Sequence, residues 1–380
     1  MKKARTPILI VDAPERNADL FYASDFWAPD PLVFLSEARK QHLVVSSLEH
    51  GRAMRKAEAR PQGKSMQVWT SDSLGLRGAK RHSLSGMAAA LLRKLQIRRV
   101  EVPAMFPHGV ARQLQRSGIQ IRVAKGPLFP SRETKKPKEI AKIRESQRAA
   151  TEAMQLAVRL IKQSRVNASG FLLSGKRRRL CSEDVQLAIQ EKLLSHNTLC
   201  KDIIVAGGVQ AADPHERGHG PLRAGETIAI DIFPQHLEHG YWGDLTRTVV
   251  KGKATARQKK MYLAVRAAHR RAMKTIRPRV SGSTVHQNVS QELQKRGFVT
   301  ELTREGPVGF IHSTGHGLGL EIHEAPGLGG SDVRLRPGNV ITVEPGLYYP
   351  SDGGIRVEDT VIVTAAGPRV LVPCPHVFEI

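Results

Sequence analysis

The chain has 380 residues, three cysteines and a formal net charge of +24, from 59 Lys+Arg against 35 Asp+Glu. With 40% apolar and 25% charged residues it is not a disordered chain, and its length allows two domains, or three, whose cores need no staples. Cys181, Cys200 and Cys374 are too few and too scattered for a disulfide framework, and no apolar run approaches the roughly 18 residues of a membrane span.

The start, Met1-Lys2-Lys3-Ala4-Arg5, is basic, but the apolar stretch after it runs only from Pro7 to Val11. A secretory segment needs about 7–15 apolar residues, so this stretch reads as a first strand. A reducing, cytoplasmic setting is expected. Further strand-like runs follow at Leu43–Ser46, Met66–Thr70, Val100–Pro103 and Ile119–Val123, with helix-like stretches at Ala53–Arg60, Leu84–Leu95 and Val110–Arg116. This βαβ alternation predicts a small α/β domain over residues 1–131, without a GxGxxG to mark a dinucleotide site.

Gly126-Pro127-Leu128-Phe129-Pro130-Ser131 reads as a linker to a larger α+β domain over residues 132–380. Apolar residues at Ile140, Ile143, Ala150, Met154, Ala157 and Ile161 predict a long helix. A second helix is expected from Ser182, as N-cap, with Glu183 and Asp184 in its first turn. Two more are expected at Ala254–Ile276 and Thr284–Lys295, with strand pairs between and after them.

Two motifs fail on their context. Gly170 to Lys176 resembles a phosphate-binding loop, but Arg177 stands where Ser or Thr must hold Mg²⁺, and a helix rather than a strand precedes it. His215-Glu216-Arg217-Gly218-His219 fits HExxH, yet Pro214, Gly218 and Gly220-Pro221 argue against the helix that a zinc protease needs.

The charge is uneven. Residues 51–150 hold 23 Lys+Arg against 6 Asp+Glu, whereas residues 301–380 hold 5 against 10. The basic excess reads as a solvated surface rather than a nucleic-acid face, because aromatics are few and no nucleic-acid motif accompanies it. Carboxylates gathered in the acidic stretches need a purpose. Thr227–Phe233 is a buried strand containing Asp231, and Tyr241–Val250 is a second strand containing Asp244. A buried Asp is costly unless it is paired or bound to metal. The design recurs: Asn339–Gly346 contains Glu344, Gly353–Val363 contains Glu358, and the loop between them reads as a hairpin turn. His312-Ser-Thr-Gly-His316 and His323 lie between the two carboxylate pairs. Four converging carboxylates would repel without metal, and with an imidazole they make an oxygen-rich site for two divalent cations.

The set Asp231, Asp244, His316, Glu344 and Glu358 resembles the five-ligand site of the pita-bread metallopeptidases, the family of aminopeptidase P, prolidase and methionine aminopeptidase. The strings that carry it are Ile230-Asp231-Ile232, Gly243-Asp244-Leu245-Thr246-Arg247-Thr248, Thr314-Gly315-His316-Gly317, Val343-Glu344-Pro345-Gly346 and Arg356-Val357-Glu358-Asp359. The resemblance covers about residues 132–380. It implies an α+β pita-bread catalytic domain, and the first third resembles the creatinase-type α/β N-terminal domain that precedes it.

The resemblance also implies roles. Asp244 and Glu358 bridge two divalent ions, expected as Mn²⁺ with Co²⁺, Zn²⁺ and Fe²⁺ as alternatives. Asp231 holds one ion, and His316 and Glu344 hold the other. A bridging hydroxide is the nucleophile, and Glu344 moves its proton. His323 steadies the tetrahedral intermediate and His215 lies near the leaving imino nitrogen. His312 lines the substrate pocket, Arg356 braces Glu358 or contacts substrate, and Tyr348 is a further substrate contact. The implied activity is a metallo-exopeptidase that cuts before a proline in second position, an Xaa-Pro aminopeptidase working as a homo-oligomer, dimer or tetramer. The alternatives are a prolidase for Xaa-Pro dipeptides, a hydrolase of small non-peptide substrates, or a non-catalytic binder of protein or nucleic acid. One departure stands out: the segment between Asp231 and Asp244 is about two residues longer than the family pattern, and it adds His236 and His239. A one-residue strand slip there would turn an Asp away from the site.

Overall fold

The computed structural model describes the chain except residues 1–5, 38–39, 61–64, 176, 305 and 331; the basic start and Lys176 of the rejected phosphate loop lie outside the described residues. It divides into two compact units, Met1–Pro130 and Ser131–Ile380.

The first unit contains strands β1 (Ile8–Asp12), β2 (Leu32–Ser36), β3 (Lys40–Val44), β4 (Ser65–Trp69), β5 (Arg99–Val102) and β6 (Gln120–Val123). Its helices are α1 (Ala18–Ser24), α2 (Ser47–Glu58), α3 (Leu84–Lys94) and α4 (His108–Arg116). The strands form one sheet in the order β4-β3-β2-β1-β5-β6, antiparallel at β1–β2 and β2–β3 and parallel elsewhere. Both faces are covered. Leu9, Val11, Val33, Leu35, Val44, Val100 and Val102 pack with Leu91, Leu92 and Leu114 of α3 and α4. Ile8, Ile10, Leu32, Phe34 and Leu43 pack on the other face with Leu20 of α1 and Ala53 of α2. Two-sided burial is why these strands read as continuous apolar runs rather than alternations. Strand β2 and helix α1 are additions to the pattern expected from sequence.

The second unit opens with α5 (Pro137–Gln163), β7 (Arg165–Val166), β8 (Leu172–Ser174), β9 (Arg178–Arg179) and α6 (Ser182–Leu194). Ser182 is the first helical residue of α6 rather than its cap: Cys181 stands at the cap and its N–H donates to the Asp184 carboxylate at 2.9 Å. Next come β10 (Thr198–Leu199), β11 (Ile204–Gly207), β12 (Thr227–Ile232), β13 (Gln235–His236) and β14 (Leu245–Val250). Then follow α7 (Ala256–Thr275), α8 (Gly282–Lys295), β15 (Glu301–Thr303) and β16 (Gly306–Val308). The chain ends with β17 (Val340–Val343), β18 (Gly346–Tyr349), β19 (Gly353–Arg356), β20 (Asp359–Thr364) and β21 (Gly367–Val370).

Two similar halves result. Strands β11-β12-β14 form an antiparallel sheet whose Val205, Ile228, Ile230, Ile232, Leu245 and Val249 pack on Ala150, Met154 and Ala157 of α5 and Val185 and Ile189 of α6. Strands β17-β20-β21 and the pair β18–β19 place Ile341, Val343, Leu347, Ile355, Val357 and Val361 on Met261, Val265 and Ala268 of α7 and Val285 and Val289 of α8. Each half is an antiparallel layer backed by two helices; Asp231 lies within β12, and Asp244, Glu344 and Glu358 stand one residue outside the ends of β14, β17 and β20. No described helix is long and apolar enough to cross a membrane.

Candidate metal centre

Asp231 is the fifth residue of β12 and pairs in register with Thr246 of β14. Side chains two apart on a strand share a face, so Asp244 and Thr246 lie on the side that Asp231 occupies. Strand slip is prevented from the α5 side. Gln147 Nε2 donates to the Asp244 carbonyl at 2.9 Å and the Asp244 N–H donates back to Gln147 Oε1 at 2.9 Å. Gly243 allows this approach, since a Cβ there would stand 2.6 Å from the Ser146 backbone.

The other two carboxylates occupy a break in a hairpin. Strand β17 pairs with β20 at Val343↔Asp359, and β18 pairs with β19 at Gly346↔Arg356. The two ladders share one register, so Glu344 and Glu358 face each other where the pairing is interrupted. The two strands expected from sequence are therefore four, divided at Glu344-Pro345 and at Val357-Glu358.

His316 joins them from the segment after α8. Its Nε2 lies 3.2 Å from Glu344 Oε1 and 3.5 Å from Asp244 Oδ2. Its Nδ1 faces the Gly317 carbonyl at 3.2 Å, which keeps one ring proton on Nδ1; when the ring is protonated Nε2 donates to Glu344, and when it is neutral the Nε2 lone pair is free for a cation among the carboxylates. One ligand atom each from Asp244, His316 and Glu358 lies within 4.8 Å of the others. Neighbouring groups orient the set. Thr246 Oγ1 donates to Glu358 Oε2 at 2.8 Å, Thr342 Oγ1 donates to Glu344 Oε1 at 3.1 Å, and Arg356 Nη2 donates to Asp231 Oδ2 at 2.7 Å.

Electrostatics separate the acids. Burial, then the charges of Glu358, Asp231 and Glu344, push Asp244 well above the usual carboxylate range. Burial, then Glu344 and Asp231, push Glu358 up in the same way. Burial also acts against the ionised form of Glu344, but the His316 hydrogen bond and charge outweigh it and take Glu344 down to about 2. For His316 burial favours the neutral ring, and Glu344 reverses this and raises its pKa.

A divalent cation fits this donor set. Among the described residues, Asp231 Oδ1 and Glu358 Oε1 are buried and accept no hydrogen bond. A buried carboxylate oxygen without a donor is costly, and a cation would satisfy both oxygens and cancel the repulsion around Asp244 and Glu358.

The ligand candidates open onto a cavity of about 790 Å³ that is also lined by His215, His312, His323 and Arg356. His323 approaches the His316 ring edge-on at 4.3 Å between centroids. Tyr348 takes a different place: it is 1% exposed and does not line the cavity. Its hydroxyl accepts from Arg356 Nη1 at 2.8 Å and meets His312 Nε2 at 2.8 Å. It therefore positions two lining residues from behind. The HExxH segment is a loop, as its composition predicts. Gly218 has φ of 82° with its backbone against the Val205 carbonyl, and only His215 of the two histidines reaches the cavity.

Gln147, Thr246 and Thr342 were not singled out by sequence. Thr246 sits inside a quoted string, two residues after Asp244. The signal for Gln147 is a polar residue, 1% exposed, on the apolar face of α5.

Residues 141–365 match metallopeptidase family M24, well over half of the chain. The chain belongs to this family. The M24 relatives include an uncharacterized peptidase, YqhT, of Bacillus subtilis, 35% identical over 176 residues, which covers 46% of this chain and 47% of that protein. The Xaa-Pro dipeptidase of Pyrococcus furiosus is 33% identical over 202 residues, covering 53% and 55%. The chain thus spans about half the length of the curated relatives it matches. The solved structure of an Xaa-Pro dipeptidase from Bacillus anthracis superposes with a TM-score of 0.79 over 98% of this chain and 95% of that one, at 23% identity. That likeness is one of fold, a pita-bread domain preceded by a smaller α/β domain.

Proposed function

We propose that this M24 member is a metal-dependent exopeptidase that hydrolyses the bond before proline in Xaa-Pro dipeptides. The observation that carries the reading is the convergence of Asp231, Asp244, His316, Glu344 and Glu358 at one cavity, with two buried carboxylate oxygens that accept no hydrogen bond. The dipeptide is preferred to the longer substrate implied by the sequence because related M24 proteins bear the name Xaa-Pro dipeptidase.

Asp231, Asp244, His316, Glu344 and Glu358 would hold two divalent cations. Such ions, Mn²⁺ by preference for an oxygen-rich site, polarise a carbonyl and acidify a water. The residues of the chain supply the rest. Glu344 is the carboxylate held ionised by its neighbours, so it can accept a proton and pass it to the leaving nitrogen. His323 lies on the cavity wall beside His316 and would donate to an oxyanion as it forms. Burial lowers the pKa of His323, so it acts as a neutral donor. His215 and His312 face the substrate space, and Arg356 fixes Asp231 in its ligand orientation.

The test is product analysis by mass on an Xaa-Pro dipeptide and an Xaa-Pro-Xaa tripeptide, with Mn²⁺ and with chelator. Chelator-sensitive cleavage of the dipeptide alone is expected. Loss of the first residue from the tripeptide would replace this reading with the aminopeptidase P type. Cleavage of neither, with metal bound, would turn the search to small non-peptide amides.

A further inference from the structure

The turn between Asp231 and Asp244, together with helix α5, holds a second group of side chains that could ligate a metal, outside the cavity. One ring nitrogen each of His236 and His239 and one carboxylate oxygen of Glu145 lie within 4.8 Å of one another. The imidazoles stack at 3.7 Å between centroids, with 14° between their planes. Glu145 Oε2 is 3.3 Å from His239 Nε2. The His239 side chain is only 11% exposed, whereas that of Glu145 is 55% exposed and opens the group to solvent.

We propose that Glu145, His236 and His239 form a separate site for one late first-row divalent cation of the Zn²⁺ type. Two imidazoles and one carboxylate are a nitrogen-rich set that suits Zn²⁺, in contrast to the oxygen-rich centre. Bonds of roughly 2.0–2.1 Å to nitrogen put tetrahedral ligand atoms about 3.3–3.5 Å apart, so the three atoms close by little more than an ångström. The exposed side of Glu145 leaves a fourth position for water.

Both rings are available as neutral ligands. Burial lowers the pKa of His236, and burial together with the adjacent His236 takes His239 down to about 3. The fixed charges facing them are Glu145, Glu238 and Lys142, one negative in sum. Lys142 opposes a cation, but its ammonium lies over the Tyr241 ring at 5.6 Å on a mobile stem. The cost is one of tautomer. The Glu238 and Tyr241 N–H groups each approach a histidine Nδ1 at 3.2 Å, so a cation on Nε2 moves the ring proton to Nδ1 and gives up those contacts. At that length they are weak. The site is therefore weaker than a four-ligand structural zinc site.

Its consequence follows from the next two residues of α5. Ser146 Oγ donates to the Tyr241 carbonyl at 2.8 Å, and Gln147 holds the backbone of Asp244. A cation on Glu145 would add a third tie in the same row and stiffen the turn between Asp231 and Asp244.

The experiment is equilibrium dialysis of the full chain against Zn²⁺, with bound metal counted by mass spectrometry. The His236→Ala/His239→Ala variant should bind one Zn²⁺ fewer than the unsubstituted chain. The Asp244→Ala/Glu358→Ala variant should lose the ions of the main centre and keep this one, so failure of that centre and failure of this site are distinguishable. Glu145→Gln, at an exposed carboxylate, should weaken the site by at least the roughly tenfold that loss of an outer-shell partner costs. Equal zinc counts in the histidine variant and the unsubstituted chain overturn the proposal. If the histidine variant does not fold, an unchanged zinc affinity in Glu145→Gln overturns it.

Discussion

Glu358 and Asp359 are neighbours in sequence, and both are almost fully buried, yet their surroundings are opposite. Glu358 faces three other carboxylates, and its Oε1 accepts no hydrogen bond among the described residues. Asp359 is met by one arginine and two histidines. Arg247 Nη2 donates to it at 2.7 Å, and the Nε2 atoms of His269 and His376 lie 3.2 and 3.3 Å away. Burial would raise its pKa, but the two histidines and then Arg247 hold it well below the usual carboxylate range. Arg247 in turn donates to the carbonyls of Thr246, Glu358, Cys374 and Pro375. One acid is thus satisfied by the protein alone and serves to lock β14 to β20. The other is left needing a positive charge from outside. The difference distinguishes a structural acid from a ligand better than burial does, because burial is the same for both.

The widest test of this contrast substitutes each neighbour in turn. Glu358→Ala should abolish metal uptake and peptide hydrolysis, read by bound-metal analysis and by product mass, while the metal-free protein loses little stability in thermal unfolding because a repulsion is removed. Asp359→Asn should do the reverse. Breaking a buried, paired ion costs about 3–5 kcal/mol, read as a lower Tm, while the molecules that remain folded still bind metal. Equal stability losses in the two metal-free variants would break the comparison.

A narrower test concerns His323, which lines the cavity next to His316 without joining the carboxylate cluster. His323→Ala should lower kcat by about 10²–10⁴-fold, the usual worth of a positioned proton or hydrogen-bond donor, with bound metal unchanged. Loss of metal in that variant would reassign His323 from the substrate side to the ligand side.

The candidate ligands, which the structure brings to one cavity, were legible in the sequence partly for the reason this contrast exposes. A carboxylate in or at the end of an apolar strand is conspicuous, as with Asp231 and Glu344, whereas Asp244 and Glu358 stood out through the strings around them. The long helices were legible through apolar periodicity. What escaped depends on register or on short elements. Gln147 matters only because α5 docks against Gly243, and nothing local to Gln147 reports that contact. Tyr348 belongs to a quoted stretch, but whether it points into the cavity or behind it is decided by where β18 starts. Helix α1 has seven residues and β2 has five, lengths at which pattern carries little information. Asp359 was quoted only as the neighbour of Glu358, since its partners lie 90 or more residues away for His269 and Arg247 and on the C-terminal segment for His376.

The smallest effect is one of pH, and its sign follows from the same pair. In the metal-free protein Asp244 and Glu358 have folded-state pKa values above their unfolded values. The folded state then binds more protons than the unfolded one, so these two groups make stability fall as pH rises from about 4 through their raised values. Asp359 and Glu344 have lowered values, so their contributions are lost only as pH falls below about 4, and they are constant at higher pH. Divalent cations replace the protons that Asp244 and Glu358 otherwise need, and that exchange becomes easier as protons grow scarce. His316 acts in the same direction, since its raised pKa must be overcome before Nε2 can ligate. The buried neutral histidines elsewhere affect both forms alike and cancel in the difference. The gain in Tm between chelated and Mn²⁺-loaded protein should therefore increase from pH 5 to pH 8. A gain that is flat or declines over that range would mean that Asp244 and Glu358 are already ionised without metal. The repulsion that separates Glu358 from Asp359 would then have been relieved by some other positive group.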